Sequence, residues 1–212
     1  MTKLYKINNC SEKQRKIVLE LSRETFLAAS GEEGTAENLK HLQEQLENNH
    51  VLTASIKDKL VGFAAYDFAC DDDYHRNDFI ERDLGYARNK SKKDFLLKHL
   101  KELQKEYGGE AFVEYFENVF TQTDKIDVHD KDMLLTHISV VPNFRRMGIA
   151  QALTEAKLKI AEKEGSIAVY VNCWEAGMVS KLYEKLGFHS IIRAGPSYCD
   201  GSAMRMMGLI LP

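Results

Sequence analysis

The chain has 212 residues, and this length favours one domain that carries an insertion. Its composition, with 44% hydrophobic and 29% charged residues, is that of an ordinary globular protein, and the net charge of −3 excludes nucleic-acid binding by global attraction. No apolar stretch approaches the roughly 20 residues of a membrane span, and the N-terminus lacks the apolar core of a secretory signal, which excludes the membrane as a partner and argues against export.

The N-terminal third begins with a predicted strand over residues 4–7. Ser11, followed three residues later by Gln14, forms a capping-box pattern that predicts the start of a helix. A second helix is expected to begin near Thr35 and to fade at the Asn48-Asn49 pair, because an apolar stripe with helical spacing follows Thr35 and comprises Leu39, Leu42 and Leu46.

Residues 51–57 and 60–68 are two apolar runs that a short polar step separates, and they predict a β-hairpin. From about residue 70 to 132 the composition becomes polar and then helically periodic, which predicts a helical insertion between two strands. Its aromatic stripe, which includes Tyr115 and Phe116, is interpreted as a partial cover over a substrate-binding site. The alternatives are packing of the insertion onto the sheet and a homodimer contact.

The last 80 residues alternate between strand and helix patterns. Strands are predicted at 134–141, 167–173, 188–193 and 203–211, and helices at 148–163 and 177–186. Gly165 and Gly187 are placed to end the two helices. This order indicates an α/β fold in which strands 134–141 and 167–173 are parallel and are joined by a right-handed crossover.

The step from strand 134–141 into the following helix carries the strongest chemical signal. Gly148 permits a close backbone approach and Ala150 removes side-chain bulk, both at a helix start whose unpaired N–H groups point outward. Arg145 and Arg146 add positive charge beside the helix dipole. The turn is therefore suited to a pyrophosphate, although the same pattern also fits an ordinary helix start with solvated arginines.

The segment 138–150, ISVVPNFRRMGIA, resembles the acetyl-CoA motif of the Gcn5-related N-acetyltransferase (GNAT) superfamily. Residues 182–188, LYEKLGF, are similar to the second signature of that family, and the likeness extends over roughly 133–193 and plausibly 35–68. The resemblance implies a mixed, mostly antiparallel central sheet that is splayed between two parallel strands, with helices on both faces.

The resemblance also implies how acetyl-CoA, as co-substrate without a metal, is bound. Backbone groups of Ile138, Ser139 and Val140 would hold the pantetheine arm. The pyrophosphate would lie against Arg145, Arg146, Met147, Gly148, Ile149 and Ala150. The family often has Asn where this chain has Ala176, so Asn172 is a candidate replacement. Tyr183 would protonate the leaving thiolate, whereas without the motif it would be a half-buried packing residue.

The general base is not fixed by the motif. His137 is a candidate because an unperturbed histidine side chain titrates near neutrality. It is expected to face away from Thr136, because side chains alternate along a strand. Glu32 and Glu33, in the loop expected between the first two helices, are alternatives because that loop borders the acceptor pocket in the family. A water relay would remove the need for a base.

The predicted function is transfer of an acetyl group to a primary amine of a small molecule through a ternary complex. A weak likeness to insect-type arylalkylamine acetyltransferases supports amines, but the serine pair proposed as catalytic there aligns with Glu175 and Val179. A protein or peptide acetyltransferase, acting on lysine or an N-terminus, and a non-catalytic CoA-binding regulatory module are the alternatives. The four widely spaced cysteines, without a Cys-x-x-Cys pair, fit a reducing cytoplasm.

Overall fold

The computed structural model describes residues 4–69, 129, 131–174, 178–196 and 203–212. Within these ranges lie seven strands and three α-helices, and the predicted α/β class is confirmed. The strands are β1 (Lys6–Asn9), β2 (Val51–Ile56), β3 (Lys59–Phe68), β4 (Met133–Val140), β5 (Ala168–Trp174), β6 (His189–Pro196) and β7 (Ala203–Ile210). The helices are α1 (Glu12–Glu47), α2 (Ile149–Glu164) and α3 (Met178–Lys185).

The chain forms two compact units. The first comprises residues 1–67 and 134–165, and the second comprises residues 68–133 and 166–212. The predicted insertion at about 70–132 lies almost wholly outside the described residues, as do Tyr115 and Phe116. The organisation as a single domain and the splayed parallel strands stay predictions.

In the first unit the strand order is β1-β2-β3-β4, and the pairs β1–β2 and β2–β3 are antiparallel. The predicted hairpin is confirmed, and its two turn residues, Lys57 and Asp58, have φ values of 47° and 64°, as a tight hairpin turn requires. One apolar cluster, which includes Phe63, joins β2 and β3 to α1. A second cluster, which includes Ala64, joins the same strands to α2. Helices thus cover both faces of this sheet.

The N-terminal region differs from the prediction of two helices. The helix α1 runs without interruption from Glu12 to Glu47, so Glu32 and Glu33 lie within a helix and not in a loop. The capping box at its start is confirmed, since the Ser11 backbone N–H donates to Gln14 Oε1 at 3.0 Å. The two glycines at 31 and 34 each cost a helix about 1 kcal/mol, but no proline breaks the hydrogen-bond ladder, so the helix continues.

In the second unit β7 lies between β5 and β6, and both pairs are antiparallel. The helix α3 ends where Gly187 adopts φ 90°, as its sequence position predicted. The buried Asp132 carboxylate accepts hydrogen bonds from the backbone N–H groups of Ile167 and Ala168 at 3.1 and 2.8 Å, which anchors the start of β5. Of the helices that the structure describes, none is both long and apolar enough to cross a bilayer.

Candidate active site

The turn that joins β4 to α2 contains two residues with left-handed backbone. A single 3₁₀ turn over Pro142–Phe144 leads to Arg146, with φ 65°, and then to Gly148, with φ 77°, which caps α2. A Cβ at Gly148 would meet only the Tyr5 hydroxyl, at 3.7 Å, so space is available there. Glycine is therefore required by the backbone conformation and not by crowding.

Hydrogen-bond donors converge at this turn. The first intrahelical bond of α2 runs from Ala152 N–H to Gly148 O at 3.0 Å, and the amides that precede it have no acceptor within the helix. Arg145 and Arg146 are exposed beside them, and Arg145 Nε donates to the Val140 carbonyl at 3.0 Å. The guanidinium is thus held at the end of β4, next to the positive end of the helix dipole, an arrangement whose charge suits a phosphate-bearing ligand.

Of the three β4 residues whose backbone groups were predicted to hold the pantetheine arm, two direct those groups away from β3. Val141 N–H donates to Val61 O at 2.9 Å, so residue 141 faces β3. Because amides alternate in direction along a strand, the backbone groups of Ile138 and Val140 point to the opposite edge and those of Ser139 point to β3. The packing against β3 is tight, since a Cβ at Gly62 would lie 2.9 Å from Ser139 O.

A buried carboxylate at the end of β3 organises a polar cluster that the sequence did not predict. Asp67 Oδ2 lies 2.9 Å from His41 Nε2 and accepts a hydrogen bond from Gln45 Nε2 at 2.6 Å. His50 Nδ1 lies 3.7 Å from Asp67 Oδ1. Gln45 also donates to Thr136 Oγ1 on β4 at 2.8 Å. These residues, together with the neighbouring His137, are called the Asp67 cluster below.

The electrostatics of the cluster favour an ionised carboxylate. Burial alone would raise the pKa of Asp67, but hydrogen bonds with His41 and Gln45 and the nearby His50 ring outweigh it and hold that pKa well below its usual range. The carboxylate is therefore negative at every physiological pH. Among the described residues, no group of three or more His, Cys, Asp or Glu side chains is arranged to hold a metal ion.

His137 belongs to this region. Strand alternation predicted that it faces away from Thr136, yet both side chains contact α1: Thr136 through Gln45, and His137 through an edge-on ring contact with His41 at 5.6 Å between centroids. Of the other predicted site residues, Met147 is 40% exposed and Ile149 is buried. The side chains of Glu33 and Asn172 lie outside the described part of the structure.

Tyr183 lies in the second unit, on α3. Its side chain is 2% exposed, and its ring packs on Phe188 with 5.2 Å between centroids. Burial, with a smaller contribution from the nearby Cys173, raises the pKa of the Tyr183 phenol above its usual range. The phenol therefore keeps its proton at neutral pH, which a proton donor requires.

Comparison with known proteins supports the motif-based interpretation. Residues 96–190 match a family model described as acetyltransferase (GNAT) domain. No curated protein matches the sequence closely enough to indicate a relative.

Solved structures share the fold at low identity. Ard1 from Thermoplasma volcanium is 14% identical, with 99% of each chain covered and a TM-score of 0.59. The ribosomal-protein-S18-alanine N-acetyltransferase from Escherichia coli is 13% identical, with 97% of this chain and 93% of that chain covered and a TM-score of 0.56. The yncA protein from Salmonella typhimurium, solved with its cofactor acetyl-CoA, is 12% identical, with 98% of this chain and 94% of that chain covered and a TM-score of 0.60. Residues 96–190 are thus similar to a GNAT acetyltransferase domain, and the described fold is similar to that of these solved structures.

Proposed function

We propose that this protein transfers the acetyl group of acetyl-CoA to a primary amine of a small molecule, by direct reaction in a ternary complex. The observation that carries this function is the turn before α2, where left-handed Gly148 opens a helix whose first amides have no acceptor within the helix, beside two exposed arginines. The similarity in fold to yncA, which was solved with acetyl-CoA, supports the same ligand.

The residues of the turn fit the phosphate end of this co-substrate. The pyrophosphate would lie against the first amides of α2, with Arg145 and Arg146 neutralising its charge. The arm would then follow β4 along the edge that Ile138 and Val140 present, and would bond to the backbone as an added strand does. When bound, acetyl-CoA supplies an activated thioester carbonyl.

Acetyl transfer requires a neutral amine as nucleophile and a proton for the departing thiolate. Tyr183 is the proposed proton donor, because it lies in the segment 182–188 that resembles the second signature of the family. Its buried phenol is protonated at neutral pH. Asn172 is proposed to contact the arm in place of the asparagine that the family often has at the position of Ala176.

A second candidate is acetylation of a peptide or protein N-terminus. It is favoured by the similarity in fold to the S18-alanine acetyltransferase of Escherichia coli, which spans 97% of this chain. A third, a regulatory module that binds CoA without turnover, would have the same turn but no acceptor chemistry.

One assay separates the three functions. Release of free thiol from acetyl-CoA is followed with 2-phenylethylamine, with spermidine and with a peptide that begins with alanine, and thermal stability is measured with acetyl-CoA alone. Faster release with either small amine supports the proposed function, and release with the peptide alone supports the second. Thermal stabilisation without thiol release from any amine indicates the binding module. Absence of both contradicts all three.

A further inference from the structure

A buried arginine on β7 joins the helix that carries Tyr183 to the sheet of the second unit. The side chain of Arg205 is 9% exposed, and its Nη2 donates to Glu184 Oε1 at 2.5 Å. Glu184 follows Tyr183 directly on α3, and about half of its side chain remains in solvent. Loss of this contact would leave a buried cation without its counter-charge, which is unfavourable. The ion pair therefore fixes one point of α3 on β7.

The helix α3 depends on such contacts for its orientation. It has eight residues, and isolated helices of fewer than about 12–15 residues are marginal in water. The turn after it also lies on β7, since a Cβ at Gly187 would be 3.5 Å from Leu209 Cδ1. Arg205 and Leu209 are four residues apart and share one face of β7, because side chains alternate along a strand. Two points on this face thus hold α3, and together they fix its rotation about its own axis.

The rotation of α3 determines the direction of the Tyr183 side chain. Successive residues of a helix are about 100° apart around its axis, so a contact at Glu184 also fixes Tyr183. Cys173 on β5 is the direct cross-strand partner of Arg205, so their side chains are neighbours on one face of the sheet. Burial raises the pKa of the Tyr183 phenol, and the nearby Cys173 adds to that rise. The phenol and the ion pair therefore lie over the same part of the sheet.

We propose that Arg205 is a positioning residue, which through Glu184 holds α3 in the rotation that directs the Tyr183 hydroxyl at the departing thiolate. The inference rests on the proposed function. In that reaction the neutral amine nitrogen forms a C–N bond to the thioester carbonyl carbon, and the C–S bond breaks. Tyr183 gives its proton to the thiolate sulfur. The nitrogen releases one proton to solvent and the tyrosinate regains one, so the products are the amide and the free thiol.

The alternative is an ion pair that only stabilises α3. Its loss would lower the free energy of unfolding, and any effect on the rate would be the same with or without the Tyr183 hydroxyl. Positioning predicts instead that the effect on the rate depends on that hydroxyl and disappears once the hydroxyl is removed. A double-mutant cycle that combines variants of Arg205 and Tyr183 separates the two roles, because it measures how far the two effects depend on each other.

The cycle compares the parent with Arg205→Met, Tyr183→Phe and the double variant. Methionine occupies a similar volume and carries no charge that needs a partner. The measurement is the rate of the first turnover of thiol release, with saturating acetyl-CoA and the amine from the panel that supports turnover. We expect Arg205→Met to lower this rate by up to about 10²-fold, and the double variant to match Tyr183→Phe. Arg205→Lys, which keeps the charge, should retain more of the rate than Arg205→Met.

Two further measurements keep the test independent of folding. The thermal shift produced by acetyl-CoA should persist in every variant, because the turn before α2 is untouched. If Arg205→Met does not fold, Glu184→Gln takes its place in the cycle, since Glu184 is half-exposed. Lys16→Met, which removes an exposed ion pair with Glu20 on α1, is the matched control and should keep the parental rate.

The possible results distinguish this inference from the function on which it rests. The positioning role is wrong if Arg205→Met keeps the parental rate of the first turnover. It is also wrong if Arg205→Met slows Tyr183→Phe by the same factor as it slows the parent. A parental rate in Tyr183→Phe shows that Tyr183 is not the donor, and the positioning role then fails with it. If the parent releases no thiol with any amine, the proposed function itself fails.

Discussion

The ammonium nitrogen of Lys157, on α2, lies 3.3 Å from the backbone carbonyl oxygen of Ala65 on β3. The lysine is fully buried. Burial lowers the pKa of Lys157 from 10.5 to about 7, because the charged form loses its hydration and the described contacts include only this carbonyl as compensation. The helix α2 thus carries an ionisable group on the face that packs against the sheet.

Replacement of Lys157 by methionine should stabilise the fold, and the gain should depend on pH. The folded-state pKa is lower than that of the unfolded chain, so between pH 7 and 10.5 the unfolded chain binds more protons and stability of the parent rises with pH. The slope is at most about 1.4 kcal/mol per pH unit. The advantage of Lys157→Met is therefore greatest below pH 7 and shrinks toward pH 10.

Chemical denaturation of both proteins across this pH range measures the difference. Lys159→Met, on an exposed position of the same helix, is the control and should show no such trend. A difference between Lys157→Met and the parent that does not change with pH would mean that burial does not lower the pKa of Lys157 in the folded protein.

Gly62 should not tolerate even one methyl group. A Cβ there would lie 2.9 Å from Ser139 O and 3.3 Å from Val140 Cγ2, so Gly62→Ala must displace β4 or β3. Overpacking of this kind costs about 1–3 kcal/mol. Because the displaced strand carries Ile138 and Val140, we also expect weaker binding of acetyl-CoA. Denaturation and calorimetric titration measure the two effects, and an unchanged affinity would indicate that β4 does not hold the arm.

The sequence predicted those parts of the fold that depend on local signals. The hairpin turn, the capping box at Ser11 and the glycines that flank α2 each lie at the predicted position. The prediction that a second helix begins near Thr35 was wrong. Helix propensity at two glycines is a weak signal, and the backbone hydrogen-bond ladder of α1 continues through them.

The two parts of the candidate site also differ in whether the sequence could predict them. The turn at Gly148 is contiguous in sequence and matches a motif, so it could be predicted. The Asp67 cluster combines residues from α1, the segment before β2, β3 and β4 that are up to 96 positions apart, such as His41 and His137, and single polar residues on amphipathic elements resemble solvated ones. Lys157 had a detectable signal, because it follows Leu153 by four residues on the apolar stripe of α2.

The glycine at the turn gives a direct test of the phosphate site. Gly148→Glu adds a negative charge and a strained side chain at φ 77°. It should abolish the thermal shift produced by acetyl-CoA, which corresponds to a stabilisation free energy of about 2.7 kcal/mol at a hundredfold excess over Kd. The matched control is Gly165→Glu, at the other end of α2, because Gly165 has a similar φ of 81°. Both variants should lose stability, but only Gly148→Glu should lose the shift. Equal shifts in both would place the phosphates elsewhere.

Tyr183→Phe tests the proposed proton donor. The hydroxyl is the only group removed, and the ring can keep its packing on Phe188, so the fold and the affinity for acetyl-CoA should be preserved. Loss of a general acid costs about 10²–10⁴ in rate, and we expect kcat to fall in that range while Kd for acetyl-CoA changes little. Tyr170→Phe is the matched control, because Tyr170 is also buried, at 6% exposure, and lies on β5.

Pre-steady-state measurement of thiol release with saturating amine separates the chemical step from product release. A slower first turnover in Tyr183→Phe, with Tyr170→Phe like the parent, assigns the proton transfer to Tyr183. The raised pKa of the Tyr183 phenol predicts that the parent shows no loss of this step through neutral pH, since the donor keeps its proton there. Equal turnover in Tyr183→Phe and the parent across that range would leave Tyr183 as a packing residue of α3, with solvent as the source of the proton.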